Sequence, residues 1–329
     1  MSLPPVSILV CTRDRRAMLD TLLVDLHAQD YDGQYEITVI EETDDPRPIE
    51  DVNYVPHPVM NKGIAFTRNL AIKHAAHDLI VFVDDDCQVE TDWLRRLVQP
   101  LDDPQVLGVQ GGVTVPDGTN AVGWAETLLG FPGGGVSRIH HSGGKIQETR
   151  EISTLNAAYR KQALLDAGGF DAAARFGGED YLLAKKVASQ GRLLFVPDAV
   201  VRHAARGSLL AIWRWFMRRG MAEAAMLRAG IAPSSYGGFM LRSSLGLKLL
   251  CAVALGWWSW WPILLLVLFI AGRTVWKTRW VFGRRDVPAV TWLWVPWVKI
   301  LMDIATDAGR LHRPTCPAMM VDGDNTGRR

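Results

Sequence analysis

The sequence predicts an α/β fold of the doubly wound kind in its front part, followed by an apolar helical end. Three observations carry that reading. The run Leu79-Ile80-Val81-Phe82-Val83 leads straight into Asp84-Asp85-Asp86; with no polar face, it is a strand covered on both sides, as in a parallel sheet. Strand and helix signals alternate from residue 6 to residue 101, the pattern of a sheet wound by crossover helices. Of 13 tryptophans only Trp93 and Trp124 precede residue 200, and the others stand among long apolar runs.

The elements follow in order. Val6-Ser7-Ile8-Leu9-Val10-Cys11 is a short buried strand ending in Thr12-Arg13-Asp14-Arg15. Leucines at 19, 22, 23 and 26 keep helical spacing and predict a helix over 17–29. Ile37–Ile40 is a second strand, ending in Glu41-Glu42-Thr43-Asp44-Asp45, and Val52–Val55 a third. Asn61-Lys62-Gly63 opens an alanine-rich helix, and a further helix over 91–101 follows the Leu79–Val83 strand. Right-handed crossovers place parallel strand ends on one edge, so Thr12-Arg13, Glu41-Glu42 and Asp84-Asp85-Asp86 are expected to converge.

The middle is less regular. Val106–Val115 reads as a strand broken by Gly111-Gly112, and the glycine-rich stretch 130–144 as a mobile loop near the site. Residues 151–160 read as strand then turn, with Asn156 inside. Ala167-Gly168-Gly169-Phe170-Asp171 is a turn, followed by Arg175-Phe176-Gly177-Gly178-Glu179-Asp180 and a helix from Tyr181 to Ser189. Val200-Val201-Arg202-His203 closes the front domain, placed at residues 1–205.

Composition narrows the classes. The chain has 329 residues, 48% hydrophobic and 22% charged, enough for one large core plus a smaller one. A net charge of +1 offers no global field for nucleic acid. Cys11, Cys87, Cys251 and Cys316 form no CxxC pair, which argues against a disulfide framework or structural zinc. No basic region precedes an apolar run at Met1–Pro5, so no signal peptide is expected.

A triple Asp on a loop is usually a solvated turn. Its place after a buried strand gives a second reading, because ligands of open α/β sheets bind outside the carboxyl ends of the strands. Hard oxygen ligands there suit Mg²⁺ or Mn²⁺ holding a phosphate. Glu179 and Asp180 stand at a helix N-terminus, where capping worth about 1 kcal/mol is the plainer role.

Taken together, the ordered pieces over roughly residues 5–220 resemble family 2 glycosyltransferases of the GT-A fold. The resemblance implies an enzyme using a nucleotide-sugar donor. Val6–Thr12 looks like the family's opening strand, and Glu41-Glu42 stands where it has an acidic pair on the base and ribose. Asn61-Lys62-Gly63 with Arg68-Asn69 looks like the helix that closes over the nucleotide. Asp84-Asp85-Asp86 looks like the DxD motif, with Asp84 and Asp85 toward the nucleotide and Asp86 toward the metal. Gly168-Gly169-Phe170-Asp171 and Gly178-Glu179-Asp180 look like the acceptor-side turn and acid motif, and His203 like a histidine near the metal and diphosphate. The donor contacts so implied are Thr12, Arg13, Glu41, Glu42, Lys62, Arg68, Asp84 and Asp85; Asn156, Gly178 and Arg218 fall to the acceptor side. Asp180 is the expected base for an inverting displacement, with Glu179 positioning it or the acceptor.

Two departures bear on this. The second strand ends in Glu41-Glu42-Thr43-Asp44 rather than an Asp-rich Gly/Ser turn. The Gln-x-x-Arg-Trp signature of processive members is missing from Trp213–Gly220, which points to single-sugar transfer.

Arg214, Arg218 and Arg219 are spaced for a basic helix face, suited to a headgroup surface or to packing on the catalytic domain. Residues 206–243 are therefore expected as interfacial helices. From Leu249 to Gly272 there is no charge, long enough to span ~30 Å of hydrocarbon, but Trp257-Trp258-Ser259-Trp260-Trp261-Pro262 interrupts it. A single span would put Arg273, Lys277, Arg279, Arg284 and Arg285 outside, against the positive-inside tendency. A hairpin bent near Pro262, spanning or re-entrant, returns them to the cytosolic face. Val287–Ile304, interrupted by Pro288, Pro296, Lys299 and Asp303, reads as interfacial, membrane-embedded helices are placed within 244–308, and 309–329 is a polar tail. The expected protein sits on the cytoplasmic face of the inner membrane and moves a sugar, most simply from a UDP-sugar, to a lipid-linked or glycan acceptor in surface-polysaccharide assembly. Its rivals are a processive synthase of the same fold, a sugar nucleotidyltransferase and a non-catalytic membrane scaffold. The nucleotidyltransferase wants a glycine-rich loop after the first strand, and Thr12-Arg13-Asp14-Arg15-Arg16 has no glycine.

Overall fold

The computed structural model describes residues 3–174, 177–232, 235–255 and 260–312. The expected break at Trp257–Ser259, Arg175-Phe176, Cys316 and nearly all of the polar tail lie outside the described residues. The chain divides into two compact units, 1–116 with 132–204, and 117–131 with the chain from 205 onward. Residues 117–131, inside the front domain of 1–205 expected from the sequence, thus group with the later part of the chain.

The first unit is built on one nine-stranded sheet in the order β3-β2-β1-β4-β8-β6-β9-β5, with β7 beside β9. The strands are β1 (Val6–Thr12), β2 (Tyr35–Glu42), β3 (Asn53–His57), β4 (Leu79–Val83), β5 (Cys87–Val89), β6 (Val106–Thr114), β7 (Gln147–Thr149), β8 (Asn156–Arg160) and β9 (Arg192–His203). β1 to β4 are parallel to one another, and β8 runs antiparallel between β4 and β6. α1 (Arg16–His27), α2 (Ile64–His74) and α3 (Trp93–Val98) make the early crossovers. The period of two along β1 sorts its side chains: Val6, Ile8 and Val10 join Leu19, Leu22, Leu26 and Trp93 on one side, while Leu9 joins Ala71, Ile72 and Phe82 on the other. Both faces of the central strands are therefore buried, as the run Leu79–Val83 demands.

Two sequence expectations change here. Gly111-Gly112 does not break β6. The strand continues through a register shift against β9 at that point, a bulge, because a Cβ on Gly111 would lie 2.2 Å from the Ala199 carbonyl oxygen and 2.3 Å from Asn156 Nδ2. The stretch 130–144 is not one loop. Gly134 (φ 96°) and Gly143 (φ 60°) take left-handed caps on either end of α5 (Gly135–Ser142). α6 (Lys161–Asp166) and α7 (Glu179–Val187) complete this unit.

The second unit is helical: α4 (Ala121–Leu128), α8 (Leu209–Arg228), α9 (Tyr236–Ser243), α10 (Leu245–Leu255), α11 (Trp261–Thr278) and α12 (Thr291–Leu311). α8 and α12 approach to backbone contact. A Cβ on Gly220 would sit 2.0 Å from the Thr306 carbonyl oxygen, and one on Gly309 2.0 Å from that of Met217. One face of α8 is thus packed rather than free to lie on a surface. Pro262 does not interrupt a helix; it stands in the first turn of α11, where its missing N–H costs nothing. Val287–Ile304 does not stay fragmented either: α12 runs through Pro296, and Lys299 pairs with Asp303 one turn on. Trp261–Val281 is long and apolar enough to cross a membrane, with 11% of its apolar window buried, and α9–α10 is a pair bent by 53°.

Candidate functional site

The parallel register brings strand ends together. Thr12 pairs with Glu41 at the ends of β1 and β2, and β4 runs beside β1 into Asp84. His203 arrives from the far end of the sheet because β9 pairs antiparallel with β5, setting Cys87 opposite His203. The Ala204 N–H donates to the Asp86 carbonyl at 3.1 Å. Ligand atoms of Asp84, Asp86 and His203 all lie within 4.8 Å of one another.

The three acids have different surroundings. Asp85 is fully buried: Thr12 Oγ1 donates to its Oδ2 at 2.6 Å, and Arg15 Nη2 lies 2.7 Å from Oδ1. Burial pushes the Asp85 carboxyl up to about 7, against the pull of Arg15. Asp86 accepts from Arg15 Nη1 at 2.9 Å through Oδ2. Its Oδ1 is buried without a hydrogen bond, and His203 Nε2 is 3.2 Å away outside bonding direction. His203 Nδ1 is likewise unpartnered. Asp86 Oδ1 and His203 Nδ1, buried and unused, beside the half-buried carboxylate of Asp84 are a donor set that fits a divalent ion of the Mg²⁺ or Mn²⁺ kind.

Arg68, on α2, ties this cluster to the acid motif. It is 7% exposed, with Nη1 2.5 Å from Glu179 Oε1 and Nη2 3.3 Å from Asp84 Oδ1. Burial opposes the Arg68 charge, but Glu179 and then Asp84 more than offset it and raise its pKa. Glu179 is pushed up to about 7, by burial first and Asp180 second, while Arg68 pulls it down. Glu179 is thus a carboxyl of diminished acidity beside a permanently charged guanidinium. Glu179 Oε2 and the hydroxyl of the fully buried Tyr159 have no partner. Gly178 holds the N-cap of α7 in a left-handed conformation (φ 86°). Asp180 is half-buried and accepts the Tyr181 N–H at 2.7 Å, so one of its oxygens serves the helix terminus. Asn69, next to Arg68, clamps the Gly168–Asp171 turn by bonding both Phe170 N and O, at 2.9 and 2.8 Å.

The remaining expected residues divide. Glu41 accepts from Arg16 and Tyr54, at 3.0 and 2.6 Å. Glu42 holds the Met60 and Asn61 N–H groups, at 2.9 and 3.0 Å, and lies 3.5 Å from Arg13. Both acids are therefore engaged by neighbouring side chains and backbone. Lys62 lies over the Phe66 ring, 4.5 Å from its centroid. Thr12 and Asp85, expected as donor contacts, are each buried and bonded to the other. Asn156, expected on the acceptor side, is fully buried, accepting from Trp93 Nε1 at 3.0 Å and donating to the Gly112 and Ala199 carbonyls at 2.8 Å each. Its side chain ties α3, β6 and β9 to β8 and is enclosed by them. Arg218 lies on α8 in the second unit. Sequence reasoning missed Arg15, Arg16 and Tyr159; the unexplained arginine run after β1 was the available signal for the first two.

This sheet order, with its acids at the carboxyl ends of the strands, is the GT-A fold. Residues 7–168, just under half of the 329-residue chain, match the family model for glycosyl transferase family 2, and that stretch belongs to the family. The acid motif and His203 lie beyond that match, so their place rests on the geometry above. The chain is 26% identical over 196 residues to a probable N-acetylgalactosaminyltransferase 7 of Caenorhabditis elegans, covering 51% of this chain and 31% of that protein. It is 25% identical over 187 residues to a glucosyl-dolichyl phosphate glucuronosyltransferase of Haloferax volcanii, covering 50% and 56%. The chain thus spans less than two thirds of either relative. Among solved structures, a mannosyltransferase from Pyrobaculum calidifontis, in complex with GDP-Man and Mn²⁺, shares the fold at 19% identity. Its TM-score is 0.56, over 93% of this chain and 89% of that one.

Proposed function

We propose that the chain is an inverting, metal-dependent glycosyltransferase that moves one sugar from a nucleotide-diphosphate donor, a UDP-sugar in the first instance, to a lipid-linked or membrane-proximal glycan. The observation that carries this reading is Arg68, which joins Asp84 of the metal-type cluster to Glu179 of the acid motif. One buried cation thereby holds donor side and acceptor side in register.

Asp84, Asp86 and His203 would hold Mg²⁺ or Mn²⁺, which when bound neutralises charge on the diphosphate leaving group. Arg13 and Lys62 supply further positive charge beside it. Asp180 takes the proton of the acceptor hydroxyl as that oxygen bonds to the sugar's anomeric carbon and the bond to the diphosphate oxygen breaks on the opposite face. Glu179 and Arg68 set the orientation of the Asp180 turn. The helix Trp261–Val281 favours attachment to a membrane, with the catalytic unit on the cytoplasmic face, where nucleotide sugars are, and a place in surface-polysaccharide assembly.

Calorimetric titration of the detergent-solubilised chain with UDP, GDP and dTDP, with Mn²⁺ or EDTA, tests this. The expected result is metal-dependent binding of one nucleotide, lost in Asp86→Ala. A folded wild-type protein that binds none of them overturns the donor-site reading.

A further inference from the structure

We infer that Arg15 is a positioning residue for the metal-binding carboxylates, fixing Asp86 so that its free oxygen faces Asp84 and His203. This rests on the reading of those three residues as the metal site. Asp14 takes a left-handed conformation (φ 54°), and the chain turns there so that the Arg15 guanidinium lies across two successive acids. Nη2 is 2.7 Å from Asp85 Oδ1 and Nη1 is 2.9 Å from Asp86 Oδ2. The far end of this chain of contacts is immobile, because Asp85 is fully buried and bonded to Thr12.

The consequence falls on Asp86. One of its oxygens is held by Arg15, so the other has a fixed direction, and that other oxygen is the buried one without a hydrogen bond, 3.2 Å from His203 Nε2. Spanning two carboxylates needs a planar fork; an ammonium group offers the same charge at a single point and cannot set both at once. Partners that orient a metal ligand typically change metal affinity by about 10- to 100-fold when lost. Charge alone predicts the opposite sign. A cation beside a metal site repels the ion, so its removal should tighten binding.

That difference in sign makes the test. Free Mn²⁺ would be followed by electron paramagnetic resonance while the full chain in detergent is titrated, using wild type, Arg15→Lys, Arg15→Gln and, as the zero, Asp86→Ala. The expected result is Mn²⁺ affinity of the folded protein lowered about tenfold or more in Arg15→Lys and again in Arg15→Gln. The inference is overturned by wild-type affinity in Arg15→Lys, or by tighter binding in Arg15→Gln. If Arg15→Lys does not fold, Arg15→Gln decides by the sign of its change alone. A wild-type chain that binds no Mn²⁺ overturns the metal site itself, an outcome distinct from wild type binding with indifferent variants.

Discussion

Each unit buries a cluster of charges, and the two clusters are finished differently. In the second unit, Glu223 accepts from Arg219 and Arg310, and Arg310 also reaches Asp307, Ser243 Oγ and the Met240 carbonyl. Asp307 in turn holds Ser244 Oγ and the Gly246 N–H where α9 meets α10. None of these side-chain atoms lacks a partner. In the first unit, Asp86 Oδ1, Glu179 Oε2, His203 Nδ1 and the Tyr159 hydroxyl are buried without one. Buried polar groups are normally satisfied because desolvation leaves them costly otherwise. A complete network fixes a conformation; an incomplete one at the carboxyl edge of a sheet keeps lone pairs for something the chain must bind.

The largest expected effect breaks the finished network. Arg310→Ala leaves the buried Glu223 and the half-buried Asp307 short of their main cation, and one-sided loss of a buried pair costs about 3–5 kcal/mol. Denaturant unfolding in detergent should show that loss, while Mn²⁺ and nucleotide binding by the folded fraction stay as in wild type. Retained stability would mean the cluster is solvated and the contrast between the units is false.

How far the sequence reveals this contrast follows from the range over which each feature is encoded. The strands β1, β2 and β4 were legible because a run of apolar residues is a local signal. So was the meeting of Thr12, Glu41 and Asp84, since it follows from right-handed winding alone. The role of Asn156 was not legible: its partners lie 63, 44 and 43 residues away, and a lone Asn in a strand pattern does not say which carbonyls it will meet. The helix α5 was hidden because its glycines serve as caps, whereas composition reads them as a loop. Arg15 was passed over for Arg13, since nothing in an arginine run tells which member folds back on the acids. Local periodicity is written in neighbours; closure of a polar network is written in tertiary contacts.

A smaller effect probes the unfinished cluster by pH. Glu179 is raised from 4.5 to about 7 by burial and by Asp180, against Arg68. Between those values the folded state binds more protons than the unfolded chain, so stability falls as pH rises. The contribution is fully present below about 4.5 and lost through about 7. In EDTA, the unfolding free energy of wild type should therefore slope downward across that window, more gently in Glu179→Gln. Asp85, raised to about 7 for the same first reason, adds to the slope, so the single variant flattens it without abolishing it. An identical slope in both proteins would remove Glu179 from the account.

The smallest effect sharpens the comparison within one helix. Lys299 and Arg310 both lie on α12, and each pairs with an acid within one turn, Asp303 and Asp307. The Lys299 side chain is 37% exposed and that of Arg310 is 10% exposed. An exposed pair at this spacing contributes about 0.3–0.5 kcal/mol, since water screens the charges and two long side chains must be ordered. Lys299→Ala should therefore shift the unfolding midpoint barely beyond error in the assay that registers Arg310→Ala as a large loss. The sequence presents the two as equivalent ion pairs, and burial and shared partners alone separate them. If Lys299→Ala cost as much as Arg310→Ala, then the helix would depend on ion pairs as such, and completeness of the network would explain nothing.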